Sequence, residues 1–541
     1  MPSRPANENH PAGVHQEAGL NGDSPAPRRN WAVEARGLCL TYANPKRAEP
    51  IRAVVNVDLC VERGQHLAIM GRSGSGKTSL LACLSGRFQA TGGTVAVDRP
   101  VATIHQDLRL VKQRSALKNV QDGALGRLSL WRSLCCYPQE EDQRVRRMLG
   151  AVGMLDRAHW PVARLSGGQQ QRVAIARALM QDPGLLLADE PVASLDHSNA
   201  GHIMALLDRL TKQRQVTLIS VLHDVDLART YADRTVILDA GKVSFDSDSD
   251  SWPQQQAVLD AADRPDTQSA QPPSKSEPRP AERARRTKPL RFVGVLLVAG
   301  AVYGFAFNGL NIGLDQFREA PASVARFLSD LVPDSAAQVG AIRFGKLAHS
   351  LLQTVLMALL GTTFGILLCW PLAALGAKNL GPTGLRPLVR FGLNAVRTVP
   401  SLLWGLICVA AVGLGPLAGV LALTAYSVGY LSKFFYEAFE AAEPGPPDAL
   451  SEIGASGLQR FVHAVWPASK APVCSSCLFM FEYNIRAASV LGVVGAGGIG
   501  ADLSRFFAWR DFPPVLACLG MLLAVVVVVD AISTRLRAQL V

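Results

Sequence analysis

The chain has 541 residues, of which 48% are hydrophobic, 18% charged and 6% aromatic, and its formal net charge is +11. This composition excludes collagen and a wholly disordered chain, and the 10 cysteines do not form a disulfide framework in so long a sequence. At about 100–200 residues per domain the length predicts two or more domains. A mean hydropathy of +0.16 is high for a wholly soluble protein, so the positive charge points to nucleic acid or to a membrane.

Composition divides the chain into four regions. Residues 1–30 predict a disordered leader without a secretory signal, so we expect the N-terminus to stay in the cytoplasm. Residues 31–243 alternate β-branched runs with helical stretches, which predicts an α/β domain with a parallel sheet. Residues 244–290 predict a disordered linker that begins as an acidic coil; its basic end favours the cytoplasmic side of a membrane over DNA binding. Residues 291–541 predict an all-α membrane domain.

The last region contains apolar runs of the length that a membrane span requires, about 20 residues. A short first candidate is Phe292–Phe307, and the run Thr398–Ser432 is long enough for two spans around a glycine-rich break. The other candidates are Leu347–Ala377, Ala471–Gly500 and Phe512–Val529. We therefore expect about six transmembrane helices, which places both ends of the chain in the cytoplasm.

A glycine-rich segment lies between the predicted strand His66–Met70 and the helical stretch Ser79–Ser85. It matches the phosphate-binding loop pattern in full, and its glycines let backbone N–H groups converge on phosphate oxygens. Lys77 can reach the β- and γ-phosphates, and the Thr78 hydroxyl can bind Mg²⁺. With the residue that follows it, this loop predicts a nucleotide site composed of Gly71, Arg72, Ser73, Gly74, Ser75, Gly76, Lys77, Thr78 and Ser79.

Two acidic residues follow a second buried strand, predicted at Leu185–Ala188. Asp189 can hold Mg²⁺ through water, and Glu190 can orient the attacking water as general base. Acidic residues often end strands without a catalytic role, but the phosphate loop in the same domain favours the catalytic interpretation.

The segment Leu165–Arg172 reads Leu-Ser-Gly-Gly-Gln-Gln-Gln-Arg and resembles the signature of ABC-transporter ATPases. A Ser-Gly-Gly turn at a helix start is an anion site, and the resemblance implies that it serves the γ-phosphate of the opposite subunit. The residues concerned are Ser166, Gly167, Gly168 and Gln169. Since this chain has one phosphate loop and one signature, we expect a homodimer with two ATP molecules at its interface.

Other residues match the same family in order along the chain. Gln106 resembles the Q-loop glutamine, a contact of Mg²⁺ and water, and His223 resembles the switch histidine that contacts the γ-phosphate. Ser194–Asp196 resembles the D-loop. Tyr42 resembles the aromatic residue that stacks on adenine, with an ordinary core or surface tyrosine as the alternative. His105 departs from the aromatic residue that is usual before the Q-loop glutamine.

The membrane half resembles the permeases of binding-protein-dependent importers in Arg397–Pro400, in the glycine-rich run Val493–Gly500 and in their cytoplasmic EAA loop. Asp448 and Trp466 depart from the pattern of that loop. A short amphipathic helix there is expected to lodge in a groove of the ATPase. The matching positions are Asp448, Ala449, Leu450, Gly454 and Pro467.

Two charged residues, Glu482 and Arg486, interrupt the run Ala471–Gly500. Their spacing of four places them on one helix face. Because charges in a span are costly, they face either each other or an aqueous path. A mutual ion pair is the plainer interpretation; the other is that Arg486 guides an anionic substrate.

Taken together, the chain resembles a fused phosphonate-type ABC importer whose two halves are normally separate chains. The resemblance implies ATP-driven uptake of a phosphonate or related small oxyanion across the cytoplasmic membrane. It also implies ATP and Mg²⁺ as cofactors, a separate extracytoplasmic substrate-binding protein and no nucleic acid. Import of phosphite, phosphate or an amino acid such as methionine remains open, as do an exporter and a complex whose ATPase drives mechanical work without transport.

Overall fold

The computed structural model describes residues 30–42, 50–193, 195–248, 288–310, 314–333 and 336–540. The leader expected at residues 1–30 and most of the linker expected at 244–290 lie outside the described residues. An α/β part precedes residue 249, and a helical part follows from residue 288. This order confirms the predicted fold class.

The α/β part contains two sheets. One is antiparallel with the order β2-β1-β4, and the other has six strands in the order β5-β6-β7-β3-β8-β9. The pairs from β5 to β8 are parallel, and β9 adds an antiparallel edge. The strands are β1 (Trp31–Tyr42), β2 (Ile51–Glu62), β3 (His66–Met70), β4 (Gly92–Val97), β5 (Val101–Ile104), β6 (Leu185–Asp189), β7 (Thr217–Val221), β8 (Arg234–Asp239) and β9 (Lys242–Asp248).

Strand β9 extends into the segment that composition assigned to the linker. It pairs with β8 from Asp239↔Lys242 to Arg234↔Asp248. The acidic stretch is ordered here because Asp246 accepts a hydrogen bond of 2.7 Å from Nε of Arg234. The sheet therefore ends later than the composition of the chain suggested.

Alternation along β6 explains how the parallel sheet is packed on both faces. Leu185 and Leu187 belong to the core shared with the antiparallel sheet, whereas Leu186 and Ala188 belong to the core beneath the helices. A strand that is buried on both faces must be apolar throughout, which is why this run is visible in the sequence. The helices of this part are α1 (Lys77–Leu84), α2 (Ala116–Gln121), α3 (Leu130–Leu134), α4 (Gln139–Ala151), α5 (Gly167–Leu179), α6 (His197–Arg214) and α7 (Val225–Tyr231).

The helical part is a bundle with one peripheral apolar helix at its start. Its helices are α8 (Lys288–Gly309), α9 (Leu314–Leu331), α10 (Ala336–Ala341), α11 (Phe344–Gly376), α12 (Arg386–Thr398), α13 (Ser401–Val412), α14 (Pro416–Glu440), α15 (Gly445–Glu452), α16 (Gly457–Arg460), α17 (Trp466–Leu491), α18 (Ile499–Ala508) and α19 (Phe512–Leu540). Turns of π-helix at Phe461–Val465 and Gly492–Ala496 flank α17.

Within the described residues, four helices are long and apolar enough to cross a membrane, and a fifth span results if the bent pair α12–α13 counts as one. The apolar stretch Gly294–Phe307 is shorter. The break expected inside Thr398–Ser432 is present, since Gly413 and Gly415 adopt φ of 88° and 137°. However, α13 has 12 residues and meets α12 at 90°, so the first of the two spans expected there is a broken element rather than a straight helix.

Close glycine contacts define the direction of the bundle helices. A Cβ on Gly361 of α11 would lie 2.6 Å from Cβ of Leu423, and one on Gly365 would lie 2.5 Å from Cβ of Ser427. Helices α11 and α14 thus run side by side in one direction, packed through small residues as membrane helices are. Both end near the segment that contacts the α/β part, and α17 returns from it.

Candidate nucleotide site and coupling interface

The phosphate loop is a strand-to-helix turn whose backbone only glycine accommodates. Gly71 and Gly76 have φ of 138° and 102°. A Cβ at Gly71 would lie 2.1 Å from the carbonyl oxygen of Leu238, and one at Gly76 would lie 2.2 Å from that of Ala53. The glycines therefore serve both the turn and its close packing against neighbouring backbone.

Lys77 and Thr78 open α1 and face the strand end that carries Asp189. Nζ of Lys77 donates hydrogen bonds of 2.7 and 2.8 Å to the carbonyl oxygens of Gly71 and Arg72. The Thr78 hydroxyl donates to Oδ1 of Asp189 over 3.4 Å. Burial lowers the pKa of Lys77, against the opposing charges of Glu190 and Asp189. Burial first, and the charge of Glu190 second, raise the pKa of Asp189.

Glu190 connects the residues predicted for catalysis. Its backbone has φ of 50°, a left-handed conformation that is uncommon for a residue with a side chain. Oε2 accepts a hydrogen bond of 2.8 Å from Nε2 of Gln106, and Oε1 accepts one of 2.7 Å from Nε2 of His223. The structure thus brings Gln106, Glu190 and His223 together from three separate loops.

Tyr42 lies at the end of β1, beside the helix that follows the phosphate loop. Its hydroxyl donates to Oγ of Ser79 over 3.2 Å, and its ring meets Phe88 edge-on with 5.6 Å between centroids. The ring also packs against the core below the antiparallel sheet. Tyr42 is therefore close to the loop, and the packing role weighed as its alternative is present as well.

The signature begins α5 and lines a surface cavity of about 530 Å³. The Gln169 side-chain oxygen accepts a hydrogen bond of 3.0 Å from the backbone N–H of Ser166, which fixes the first turn. A Cβ on Gly167 or Gly168 would come within 3.7 or 3.8 Å of Cδ2 of Leu195. The backbone of this turn is consequently accessible because these two positions lack side chains.

Leu195 and Asp196, from the expected D-loop, form another wall of the same cavity. Ser194 lies outside the described residues. Asp196 also caps α6 by accepting a hydrogen bond from the backbone N–H of Asn199. None of the described phosphate-loop residues lines this cavity. One copy of the chain therefore presents the loop and the signature as separate surfaces.

The loop that resembles the EAA loop inserts into the α/β part. We call residues 441–466 the coupling segment. Leu450 is buried in a cluster with Val111 and Leu125 from the α/β part, together with Ala455 and Ala464 from the coupling segment. This shared apolar core joins the two parts.

The structure describes the other four matching positions of this loop. Ala449 is buried beside Leu450 on α15, whereas Asp448 is more exposed and lies 4.0 Å from the Arg87 guanidinium. Gly454 adopts φ of 90° and approaches Gly126. Pro467 stands in the first turn of α17.

Gly126 permits the closest approach of the two parts. A Cβ at this position would lie 1.9 Å from the carbonyl oxygen of Ile453, a distance that no side chain tolerates. This role was not predicted from the sequence, because Gly126 lies in no motif and its partner is more than three hundred residues away.

Glu452 is the charged centre of the interface, and sequence reasoning missed it. Its carboxylate lies 2.9 Å from Nε2 of His105 and 3.3 Å from a guanidinium nitrogen of Arg109. Burial opposes its charge, but the hydrogen bond from His105 and the charges of Arg109 and Arg87 lower its pKa. The signal available was His105 itself, which departs from the usual aromatic residue and contacts Glu452.

A second polar cluster lies deeper in the interface. Asp122 accepts hydrogen bonds of 2.7 and 2.6 Å from Arg114 and contacts Nδ1 of His463 at 2.9 Å. Nearby, Nε2 of Gln459 donates to Oγ of Ser133 over 2.9 Å. These contacts join α2 and α3 of one part to the coupling segment of the other.

Arg177 links the signature helix to this interface. It is buried on α5 and donates hydrogen bonds of 2.7 and 2.8 Å to the carbonyl oxygens of Arg109 and Leu108. Both acceptors adopt left-handed backbone angles, so these bonds hold an unusual turn. Burial lowers the pKa of Arg177 to about 10. The signature, the turn after Gln106 and Glu452 are therefore connected.

Within the bundle, Glu482 and Arg486 form the ion pair that was the plainer expectation. Oε1 of Glu482 accepts a hydrogen bond of 2.8 Å from Arg486, whose side chain is 52% exposed. Between them, the buried Asn484 donates bonds of 2.8 Å to Oγ1 of Thr362 and Oγ of Ser427. The pair thus begins on the inner face of α17 and ends on its exposed face.

Comparison with known families divides the chain at the same place. The family described as "ABC transporter" matches residues 54–193. The family described as "Binding-protein-dependent transport system inner membrane component" matches residues 361–540.

Curated relatives match the α/β part. The "Phosphate-import ATP-binding protein PhnC" of Mycolicibacterium smegmatis is 44% identical over 218 residues, which are 37% of this chain and 83% of that protein. The "Phosphonates import ATP-binding protein PhnC" of Shouchella clausii is 37% identical over 231 residues, 40% of this chain and 85% of that protein. A protein of the same name from Halobacterium salinarum is 40% identical over 205 residues, 36% of this chain and 73% of that protein.

These matches agree with the geometry of the site: a phosphate loop and Glu190 in one part, joined through a coupling segment to apolar helices in the other. The chain is a membrane protein that binds and hydrolyses ATP, and proteins of this kind act as dimers with a substrate-binding partner. It belongs to the ABC transporters, with ATP-binding and permease domains in a single polypeptide.

Proposed function

We propose that the chain imports a phosphonate or a related small oxyanion across the cytoplasmic membrane at the expense of ATP. The observation that carries the proposal is the pairing of an ATPase domain, similar to proteins named for phosphonate and phosphate import, with a permease of the binding-protein-dependent type. A separate extracytoplasmic protein would capture the substrate and deliver it.

The working unit is a homodimer with two ATP molecules between its ATPase domains. The support is the separation of the two anion sites: the signature cavity holds Ser166 to Gln169 and none of the described phosphate-loop residues. A second copy related by two-fold symmetry can present its signature to the loop of the first. Each ATP is then enclosed by two chains, and hydrolysis depends on their closure.

The catalytic residues suit Mg²⁺ together with ATP. Thr78 and Asp189 offer hydroxyl and carboxylate oxygens, the donors that Mg²⁺ prefers, and Gln106 adds an amide oxygen. Bound there, the ion neutralises charge on the phosphates. Lys77 holds phosphate oxygens, Glu190 accepts the proton of the attacking water, and His223 and Gln106 orient the Glu190 carboxylate.

Coupling passes through the contacts of Glu452 and Gly126. Gln106 contacts Glu190, and the turn that follows it carries Arg109, which contacts Glu452. A change at Glu190 therefore reaches the coupling segment through a short chain of contacts. Because α14 and α17 adjoin that segment, its displacement changes the packing of the spans.

Arg486 is proposed to face the substrate path. Its side chain is half-exposed, while its neighbours on the same face, Phe479, Val490 and Val493, are exposed and apolar. A charged side chain on an apolar surface is energetically unfavourable when it faces lipid. This face of α17 is therefore expected to contact a second copy of the chain or a water-filled path. The positive guanidinium, only partly neutralised by Glu482, would favour passage of an anion.

The direction of the helices supports a topology for the permease. Cys518, near the start of α19, packs with Leu347 at the end of α11 that is remote from the ATPase domain. Helix α19 therefore starts on the far side of the membrane, and its 29 residues carry the chain back toward the ATPase side. We infer that the ATPase domain and both termini are cytoplasmic.

Phosphate itself is the second candidate substrate, favoured by the name of the Mycolicibacterium smegmatis relative. Thermal-shift assays of the cognate binding protein against phosphonates, phosphite, phosphate and methionine separate the candidates. The proposal expects stabilisation by a phosphonate at the lowest concentration. Stabilisation by methionine alone would contradict it.

The path assignment has its own test. Arg486→Gln should slow uptake of a phosphonate while leaving ATP binding intact, and Glu482→Gln, which frees the guanidinium, should not mimic it. Unchanged uptake in the Arg486 variant would remove this residue from the path without affecting the proposed substrate.

A further inference from the structure

A cavity of about 690 Å³ lies between the ATPase domain and the permease, apart from both the nucleotide site and the membrane path. Its ATPase wall includes Arg114, Lys118 and His159, and its permease wall includes His463 and Lys470. Its volume is in the range of small-molecule sites. Both domains contribute to it, so anything bound there touches both.

The cavity is strongly basic. No aspartate or glutamate belongs to its lining among the described residues. Lys118 and Lys470 are exposed at its edge, and in the described part of the chain neither ammonium group has a carboxylate within ion-pair distance. Uncompensated cations around a concave surface attract anions, and enclosure by protein strengthens that attraction.

The floor of the cavity contains a polar group without a partner. His463 is buried, and its Nδ1 is used by Asp122, but its Nε2 has no hydrogen-bond partner in the described structure. Ser115 and Gln121 add polar groups to the lining. Buried polar atoms are nearly always satisfied, so the unpaired Nε2 marks an unmet hydrogen-bonding capacity beneath this basic cavity.

We propose that this cavity binds a small phosphate-type oxyanion on the cytoplasmic side, inorganic phosphate or a phosphonate, and that the bound anion holds the two domains together. Lys118 and Lys470 would bind the anion from opposite walls of the cavity. A ligand stabilises the arrangement to which it binds best, here the one in which both walls are close. The anion therefore slows the cycle, so that accumulated product restrains its own uptake.

The view of the bound anion as transported product rests on the proposed function, whereas binding in the cavity does not, and the test follows ATP hydrolysis directly. The full chain is reconstituted in phosphatidylcholine vesicles at saturating ATP and Mg²⁺, and inorganic phosphate is titrated. We expect inhibition that extra ATP does not relieve. In K118Q/K470Q the half-inhibitory concentration should rise roughly tenfold or more, since two charge-assisted contacts are lost.

The matched control is Lys242→Gln, an exposed lysine on strand β9 that is not part of the cavity lining. It should leave the half-inhibitory concentration unchanged. Inhibition that ATP overcomes, or that is the same in K118Q/K470Q, would assign the effect to the catalytic site and overturn the proposal. So would the absence of inhibition in the unaltered chain.

Two further measurements complete the test. Calorimetric titration of phosphate into the ATP-loaded Glu190→Gln chain should show binding. The same chain with K118Q/K470Q added should bind phosphate more weakly, and equal affinity of the two chains would contradict the proposal. Because Trp466 and Lys470 begin a membrane helix, a lipid phosphate is the other source of the same chemistry. Vesicles containing phosphatidylglycerol reveal it: inhibition by this lipid without added phosphate, abolished in K118Q/K470Q, assigns the site to a headgroup.

Discussion

Glu190, the proposed catalytic glutamate, and Glu452, at the interface of the two domains, have similar surroundings but very different sequence contexts. Glu190 contacts Gln106 and His223, and Glu452 contacts His105 and Arg109. The first set lies in motifs because phosphate chemistry requires particular atoms at particular places. The second needs only complementary charge between two surfaces, which many residue pairs can provide. Residues that perform phosphate chemistry can therefore be predicted from a sequence, whereas residues that couple two domains cannot.

The largest effect is expected at the catalytic glutamate. Glu190→Gln removes the general base but preserves shape, so hydrolysis should fall roughly 100- to 10,000-fold while ATP binding persists. Nucleotide binding and steady-state hydrolysis by the purified chain check this. A variant with undiminished hydrolysis would show that the proton is accepted elsewhere.

Gly126→Ala is expected to reduce transport while ATP hydrolysis continues. The added Cβ would lie 1.9 Å from the carbonyl oxygen of Ile453, so the coupling segment must shift. Overpacking of this kind costs about 1–3 kcal/mol, so transport per ATP should fall roughly tenfold while basal hydrolysis continues.

The matched control for that variant is Gly150→Ala on α4, where an added Cβ meets nothing within 4 Å. It should transport normally. If both alanine variants behave alike, the close approach at Gly126 has no part in coupling.

Glu452→Gln should weaken coupling less, by roughly fivefold, because the apolar cluster around Leu450 remains. The pH dependence has a definite sign. A carboxyl whose pKa is lowered on folding adds stability above its ordinary pKa, and this is lost as the pH falls through the lowered value. Glu452 should therefore stay charged at pH 5, and its contribution to coupling in the unaltered chain should persist there.

Thermal unfolding measured between pH 4 and pH 8 provides the readout. The difference in stability between the unaltered chain and Glu452→Gln should be constant above the usual glutamate range and shrink only in acid. A difference that already vanishes near neutral pH would contradict the charge assignment.

The smallest effect is expected at Tyr42. Tyr42→Phe removes only the hydroxyl that contacts Ser79 and should change the KM for ATP less than about twofold. Tyr42→Ala also removes the ring, and loss of stacking should raise KM roughly five- to tenfold. Equal KM values for the two variants would show that the ring does not stack on ATP and only packs against Phe88.

Sequence reasoning went furthest where a residue type is dictated locally. The strand His66–Met70 was predicted with its observed bounds, because five residues that are all buried in the structure precede the glycine loop. The loop, Asp189 and Glu190 followed from phosphate chemistry. The extension of β9 to Asp248 did not, since the pairing of Asp246 with Arg234 is a contact between strands.

The permease was less predictable for a physical reason. Apolarity reports that a segment is buried in lipid or protein, but not where it bends. The run Thr398–Ser432 was correctly divided at its glycines, yet the right angle between α12 and α13 depends on packing against α14 and α17. Likewise, Gly126 and His463 acquire their roles only when distant parts of the chain meet.

The central claim is that ATP hydrolysis in the first domain drives oxyanion movement through the second. Its most direct test measures both quantities together in vesicles containing the purified chain, the cognate binding protein and a radiolabelled phosphonate. The labelled phosphonate should accumulate only with ATP, and accumulation should disappear in Glu190→Gln. Steady ATP hydrolysis with no solute crossing the membrane, whichever binding protein is supplied, would contradict it.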